Sequence, residues 1–366
     1  MELDDKKYYF AFSLLPEIGP ARLERLQNYF NTLAEAWQAP ISLLLAAGLE
    51  SSVAEKVAVR RAEINLEKEW ENLERKKIKI VSKDEEAYPA LLKEIHQPPY
   101  LLFYQGTLAD PRDRFCVAVV GTRKISPYGQ QATEKITADL TRAGTAIVSG
   151  LALGVDATAH ETCLKEKGRT IAVVGSGLDR SVLYPPNNIY LAEKIIQEGG
   201  VIFSEYPPLT PPHKLFFPQR NRIISGLALG TLVVEAPLES GAMLTAKIAL
   251  DQNRDVFAVP GSIFNENSLG PNQLLKLGAK AASDAGDILE ALNLEKATDF
   301  VAAEQIVADT LEEKLILEIL NYEPVHVDDL RRQTKLDSSL LSSTLTLMEM
   351  KGKARNMGAM RWVIGR

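Results

Sequence analysis

Residues 213–250 read HKLFFPQRNRIISGLALGTLVVEAPLESGAMLTAKIAL, in the order loop, helix, strand, loop, helix. Pro218 suits the first turn of a helix, where its missing N–H leaves no bond unmade. Arg220, Ile223, Ile224 and Leu227 then share one face by helical spacing, and Arg222 is rotated off it. Residues 231–235 (TLVVE) are a short apolar run with β-branched side chains, which marks a buried parallel strand. Ser240-Gly241 follows and opens a second helix. The stretch therefore gathers Lys214, Phe216, Phe217, Arg220 and Arg222 around one helix N-terminus. It ends in a Gly-containing turn at the carboxyl end of a strand. Helix N-termini and such turns attract anions, and aromatics beside cations suit unpaired bases on a phosphate backbone. A structural reading competes: Phe216 and Phe217 in the core, with Arg220 and Arg222 paired to Glu205 or Glu235. Taken alone, the stretch leans toward the structural reading.

Working outward, the same strand-turn-helix unit repeats. Strands are predicted at 116–121 (CVAVVG), 145–150 (TAIVSG), 170–177 (TIAVVGSG), 201–205 (VIFSE) and 255–261 (DVFAVPG). Helices are predicted at 127–143, through 156–167, at 188–197 and over PNQLLKLG from Pro271. The alternation gives an α/β class with a Rossmann-like, doubly wound parallel sheet. Right-handed crossovers bring the strand exits to one edge, where such sheets bind ligands. Those exits read VGTR, SGLALG, VGSGLD, SEYPP, VEAPLESG and VPGS, and nearly all carry Gly, Ser or Thr. Glycine lets backbone approach a ligand closely. The dinucleotide fingerprint is absent. Gly175-Ser176-Gly177 is followed by Arg180 where a third glycine belongs, no acidic residue closes the strand after VGTR, and there is no phosphate-binding G-x-x-x-x-G-K motif.

The flanks differ in pattern. Residues 1–65 are all-helical by spacing (Phe10, Leu14, Leu15, then Leu23, Leu26, Phe30, Leu33), with a Gly19-Pro20 hairpin of helix-hairpin-helix type. The sheet domain extends over 66–292, because a charged helix, the run IKIVS and the run at 100–104 precede the first parallel strand and cover one sheet edge. Residues 293–310 read as a linker. Residues 311–366 follow the order of a winged helix. Its third helix, from Ser338, has no Arg or Lys before Lys351, poor equipment for phosphate contact, and Leu340, Leu341, Leu345 and Leu347 are assigned mostly to its core.

The chain has 366 residues, 46% of them hydrophobic, and a net charge of −6. That balance argues against general nucleic-acid coating and leaves room for a local basic groove. Cys116 and Cys163 make neither a disulfide framework nor a zinc site. The N-terminus lacks an apolar signal core, and no apolar run approaches the ~20 residues of a membrane span, so a cytoplasmic location is expected. His160 is read as structural, Asp156 and Glu161 need not face each other, and Glu235 and Glu239 are read as partners for arginines. No nucleophile, base and orienter assemble, and no metal or cofactor is expected.

Taken together, VAVVGTR (117–123), SPYG (126–129), SGLALGVDATAH (149–160), TIAVVGSGLD (170–179), YPPNN (184–188), FPQRNRIISGLA (217–228), VVEAPLESGAMLTA (233–246) and RDVFAVPGS (254–262) resemble the DNA-processing protein A (DprA, or Smf) family. The resemblance spans about 116–290, and both flanks fit it, the first as a SAM-like helical domain. It implies a non-catalytic protein that binds single-stranded DNA during natural transformation, protects it and loads the RecA recombinase. It further implies a homodimer, with single-strand-binding protein as another partner. Carried over by position, the DNA contacts are Gly121, Thr122, Arg123, Lys214, Phe217, Arg220, Asn221 and Arg222, while Phe216 stays in the core. Gly150, Gly175, Ser240 and Gly241 are secondary loop contacts, and Leu274, Leu275 and Leu277 mark the dimer surface. The alternative from another class is a nucleotide-binding, phosphoribohydrolase-type enzyme using Glu235, although its P-G-G-x-G-T signature is missing.

Overall fold

Apolar residues at helical spacing fold the N-terminal segment into α1 (Leu3–Ser13), α2 (Pro20–Tyr29), α3 (Leu33–Gln38), α4 (Ile41–Ala46), α5 (Ser51–Glu63) and α6 (Leu66–Arg75). Thr32 and Asn65 cap α3 and α6 by accepting from the Glu35 and Lys68 N–H groups at 3.2 and 3.0 Å. Next come β1 (Lys79–Ser82), α7 (Ala90–Lys93) and β2 (Leu101–Gly106). The alternating part follows: β3 (Cys116–Val120), α8 (Pro127–Arg142), β4 (Ala146–Ser149), α9 (Val155–Lys165), β5 (Thr170–Val174), α10 (Ile189–Gln197), β6 (Val201–Ser204), α11 (Phe216–Gly226), β7 (Gly230–Val233), α12 (Gly241–Asp251), β8 (Asp255–Ala258), α13 (Glu266–Lys276), β9 (Lys280–Ala281) and α14 (Ala285–Ala291). The computed structural model describes residues 3–294, 308–320, 325–351, 353–358 and 360–364.

The strands form one sheet in the order β1-β2-β6-β5-β4-β3-β7-β8-β9. All neighbours from β6 to β9 are parallel, while β1 and β2 add antiparallel to the β6 edge. The doubly wound reading holds, and β1 and β2 cover the edge assigned to them. The chain winds from β3 out to β6, then returns across the sheet to lay β7 beside β3. Strand order therefore reverses between β3 and β7.

Two boundaries move. The strands stop short of the glycines read into their ends, because those residues already turn into the loops. Helix α13 starts before Pro271, at Glu266, where the Asn265 side chain accepts from the Asn267 N–H at 3.0 Å. The proline is tolerated inside the helix because the Asn267 carbonyl, which would otherwise accept from residue 271, accepts instead from the Ala236 N–H at 2.6 Å.

Residues 1–292 and 293–366 are two compact units. Within the first, α1–α6 do not keep a core to themselves. Phe10, Leu26 and Leu44 belong to one buried cluster with Phe103, Ala172, Val174 and Ile202 of the sheet, and the Phe10 and Phe103 rings meet edge to face at 6.0 Å. A second cluster, with Val120, Val148, Val173, Ile223 and Ala246, fills the opposite face.

The second unit contains α15 (Leu311–Leu317), β10 (Val325–His326), α16 (Val327–Thr334), α17 (Ser338–Met350), β11 (Ala354–Asn356) and β12 (Arg361–Ile364), with strand order β10-β12-β11. Most of the expected linker, residues 295–307, lies outside the described residues. In α17, Leu341, Leu345 and Met348 are buried, but Leu340 and Leu347, expected in the core, are exposed. They sit one helical step off the inward row.

Candidate nucleic-acid interface

The exits of β3, β4 and β5 and the first turns of α11 converge on a small pocket. Arg123, Gly150, Ala152, Leu153, Tyr184, Pro185, Phe217 and Arg220 line it. Phe217 stands in the first turn of α11, ahead of Pro218. The Arg123 guanidinium lies over its ring, 5.5 Å from the centroid, and the Tyr184 ring stands 5.6 Å away, tilted by 55°. Arg123, Lys124 and Lys214 are exposed. Among the described residues none of these three cations enters an ion pair, so each keeps its charge free for a ligand. The space is about 30 Å³, room for a water rather than a base. A base reaching Phe217 must slide under or displace the Arg123 guanidinium.

The two arginines of α11 behave differently from Arg123. Arg220 is only 5% exposed, as its place in the row with Ile223 and Ile224 requires. One of its Nη atoms donates to the Gly150 carbonyl at 2.6 Å and to the Val173 carbonyl, so it braces the ends of β4 and β5. Burial pushes its pKa down to about 10, against the pull of Asp156. The Asp156 carboxylate accepts from the Gly150 and Ala152 N–H groups at 3.1 and 3.4 Å. Burial raises its pKa, and Arg220 opposes that rise. Arg222 pairs with Glu205 at 2.5 Å, so the structural reading of this stretch holds for that arginine. Asn221 is buried and donates to the Gly241 carbonyl at 3.2 Å.

Phe216 is not in the core. It is half-buried, stacked on Tyr206 at 4.0 Å and 25°, with the His213 ring edge-on at 5.3 Å. Position 216 lies four residues before Arg220 on the same helix face, but it opens the helix and packs on Tyr206 and His213 instead of the sheet core. Among the described residues Glu235 has no arginine partner either. Its side chain is fully buried and accepts from the Ser126 N–H and hydroxyl at 2.9 and 2.6 Å. Thr122 is buried, donates its N–H to the Glu235 carbonyl at 2.6 Å, and accepts from the Lys124 N–H at 3.2 Å.

The glycines at the strand exits serve the chain itself. A Cβ at Gly150 would lie 2.6 Å from the Arg220 guanidinium, one at Gly175 would lie 3.0 Å from the Phe217 ring, and one at Gly121 would lie 2.8 Å from the Glu235 carbonyl. They make room for side chains that shape the pocket. Ser240 caps α12 by accepting from the Met243 N–H at 3.4 Å, and nothing lies near a Cβ built on Gly241. Of the surface assigned to a partner copy, Leu274 is buried and Leu275 half-buried against the sheet core, while Leu277 is 71% exposed. Residues 274 and 277 sit at successive turns of one helix end, and only the latter clears the sheet.

Sequence reasoning missed Tyr184 as part of this pocket and the exposed Lys124 beside Arg123 in the chain. Tyr184 lies within YPPNN, and the Asn188 amide of that motif donates to the Leu151 carbonyl at 2.8 Å, fixing the β4 exit beside it. His160 is structural as read: it is fully buried, with Nδ1 2.7 Å from the Thr170 hydroxyl, and desolvation drops its pKa to about 3. Cys116 and Cys163 are free and buried. Among the described residues no cluster suits a metal ion, and no helix is long and apolar enough to cross a membrane.

Comparison with known proteins agrees with this geometry. Protein Smf of Synechocystis sp. is 37% identical, covering 99% of both chains. The DNA processing protein DprA of Bacillus subtilis is 44% identical over 56% of this chain and 68% of its own. The DprA structure from Streptococcus pneumoniae superposes with a TM-score of 0.65 at 34% identity, covering 79% of this chain and 98% of that one. DNA processing protein A from Helicobacter pylori, described for its single-stranded DNA binding mode, gives a TM-score of 0.52 at 30% identity, covering 59% of this chain and 96% of that one. The family described as DNA recombination-mediator protein A matches residues 79–293, and the DprA winged helix domain matches residues 301–359. With a sheet, a site and a C-terminal winged helix of this kind, the chain belongs to the DNA recombination-mediator protein A (DprA/Smf) family.

Proposed function

We propose that this protein binds single-stranded DNA without sequence preference at the carboxyl ends of β3–β5, and that its role there is binding rather than bond-breaking. The observation that carries this is the Arg123 guanidinium over the Phe217 ring, with Lys124 next to Arg123 and Lys214 three residues before Phe217 in the chain, both exposed and, among the described residues, in no ion pair. Arg123 and Lys214 neutralise successive phosphates while Phe217, walled by Tyr184, stacks a base. Each stacked base contributes roughly 1–3 kcal/mol. Arg220, Asn221 and Arg222 hold the strand exits and α11 in place, Arg220 also lining the pocket floor.

On this reading the protein shields incoming DNA in the cytoplasm and passes it to RecA as a homodimer. The end of the sheet domain suits the dimer contact. Leu277 is exposed there, and Ile263 and Phe264, before α13, are 73% and 92% exposed. Two copies place two pockets on one strand and add avidity.

The test is fluorescence anisotropy with labelled oligo-dT across a salt series, beside the same strand as a duplex. Tight, salt-sensitive binding of the single strand and weak binding of the duplex is the expected result. No binding at low salt removes the reading and turns attention to turnover of mononucleotides. Light scattering of Leu277→Asp and Phe264→Asp variants tests the dimer, and nucleation of RecA on DNA coated with single-strand-binding protein tests the loading step.

A further inference from the structure

In a doubly wound sheet the crevice lies where the strand order reverses, and a nucleotide's phosphate rests there on a helix N-terminus. Here that place is between the exits of β3 and β7, and the helix beginning there is α8, whose N-cap is Ser126. The seat is filled by the chain itself. Glu235 follows β7, and its fully buried carboxylate accepts from the Ser126 N–H at 2.9 Å and the Ser126 hydroxyl at 2.6 Å, with the Asn265 amide 3.5 Å away. Any side chain at Gly129, in the first turn of α8, would collide with it. Among the described residues Glu235 enters no ion pair. Burying a carboxylate without a cation is costly, so the first turn of α8 and Ser126 supply the compensation a bound phosphate would otherwise receive.

Glu235 also grips the turn that carries Arg123. Its backbone carbonyl accepts from the Thr122 N–H at 2.6 Å on one side of Arg123, and its side chain holds Ser126 on the other. We propose that Glu235 is a built-in anion: it closes the crevice to nucleotides and acts as a positioning residue that presents Arg123 before any ligand arrives. The second half of this inference rests on the single-strand reading above; the first does not.

The experiment uses the full chain with Glu235→Ala and Glu235→Gln. The probes are inorganic phosphate and AMP by calorimetry, and oligo-dT by anisotropy at fixed ionic strength, with sodium acetate exchanged for chloride. The wild-type chain is expected to bind neither phosphate nor AMP. Glu235→Ala is expected to gain saturable binding of phosphate or AMP. It should lose about tenfold in oligo-dT affinity, the scale of one charge-assisted contact, and regain part of that loss in acetate. A folded Glu235→Ala chain that takes up no anion and binds oligo-dT as the wild type does would overturn the proposal. So would an oligo-dT loss that acetate leaves untouched, which would mark a merely structural residue. If the alanine variant does not fold, Glu235→Gln decides: it keeps the volume and loses the charge, and unchanged oligo-dT affinity would overturn the positioning role. If the wild type binds no oligo-dT, the single-strand reading falls, while phosphate uptake by the variants still decides the seat.

Discussion

The N-terminal turns of α11 and the C-terminal end of α17 both set cations beside a helix end, and they use them in opposite ways. Around α11, Arg123, Lys124 and Lys214 are exposed and, among the described residues, enter no ion pair, and Arg123 lies over the Phe217 ring. Around α17, Lys351 and Lys353 are both consumed internally. Lys351 reaches Asp309 and Glu313 at 2.8 and 2.7 Å, and Lys353 reaches the same two acids at 2.9 and 2.7 Å. A winged helix places its third helix as the DNA reader, but here that helix shows serines, Thr346, Leu340, Leu347 and Met350 to solvent. On the proposed reading, motif type is a poor guide to where DNA goes. What decides is whether a cation has already found its anion.

The contrast can be broken most directly at the sheet. Arg123→Ala combined with Lys214→Ala is expected to weaken oligo-dT binding by about 100-fold, taking roughly 1.4 kcal/mol per charged contact. The slope of log affinity against log salt should flatten by about 1.4, or ~0.7 for each phosphate lost. An unchanged slope would show that neither residue touches phosphate. Phe217→Ala is expected to cost less, roughly 1–3 kcal/mol for one stacked base, and to leave the salt slope where it was. A flattened slope in that variant would mean that Phe217 acts only by holding Arg123.

The winged helix sharpens the contrast from the other side. Lys351→Ala with Lys353→Ala should leave oligo-dT affinity and salt slope unchanged, while calorimetry shows earlier melting of the second unit because Glu313 is left buried without a cation. Loss of DNA affinity there would restore the winged helix as a reader. The smallest effect is expected in acid. Burial opposes ionisation of Glu313, but the Asp309 N–H and the two lysines outweigh it and hold its pKa at about 2; the same lysines hold Asp309 at about 2. Both values lie below the ordinary 3.8 and 4.5. Their contribution to stability is therefore complete above pH 4.5 and fades as the pH falls toward 2. Thermal melts across that window should show the second unit weakening there, less so in high salt, because Asp309 is exposed.

Much of this was legible in the residues. Apolar runs ending in Gly or Ser gave the sheet, and the spacing of Arg220 with Ile223 and Ile224 already put it on the buried face. The shape of the site was less legible. Nothing local says that Glu235 would reach Ser126, since that contact exists only because β7 returns beside β3. Tyr184 approaches Phe217 through a long loop, and the glycines at the exits read the same whether a ligand or the chain's own side chain fills the space beside them. The register of α17 failed at Leu340 and Leu347 because its leucines are separated mostly by serines and threonines, small residues that sit on either face and do not mark which row turns inward.

The buried cluster shared by α1–α6 and the sheet bears on how the protein is made. Translation delivers the helices first, but Phe10 and its neighbours wait for Phe103, then Ala172 and Val174, and finally Ile202. At ~5–20 residues per second, β6 emerges on the order of ten seconds after α6. Through that interval the nascent helices carry an apolar surface with no permanent cover. A fragment ending near residue 65 keeps that surface for good, so it should aggregate or melt without cooperativity. The helical segment has the outline of a detachable module and the folding dependence of an integral part.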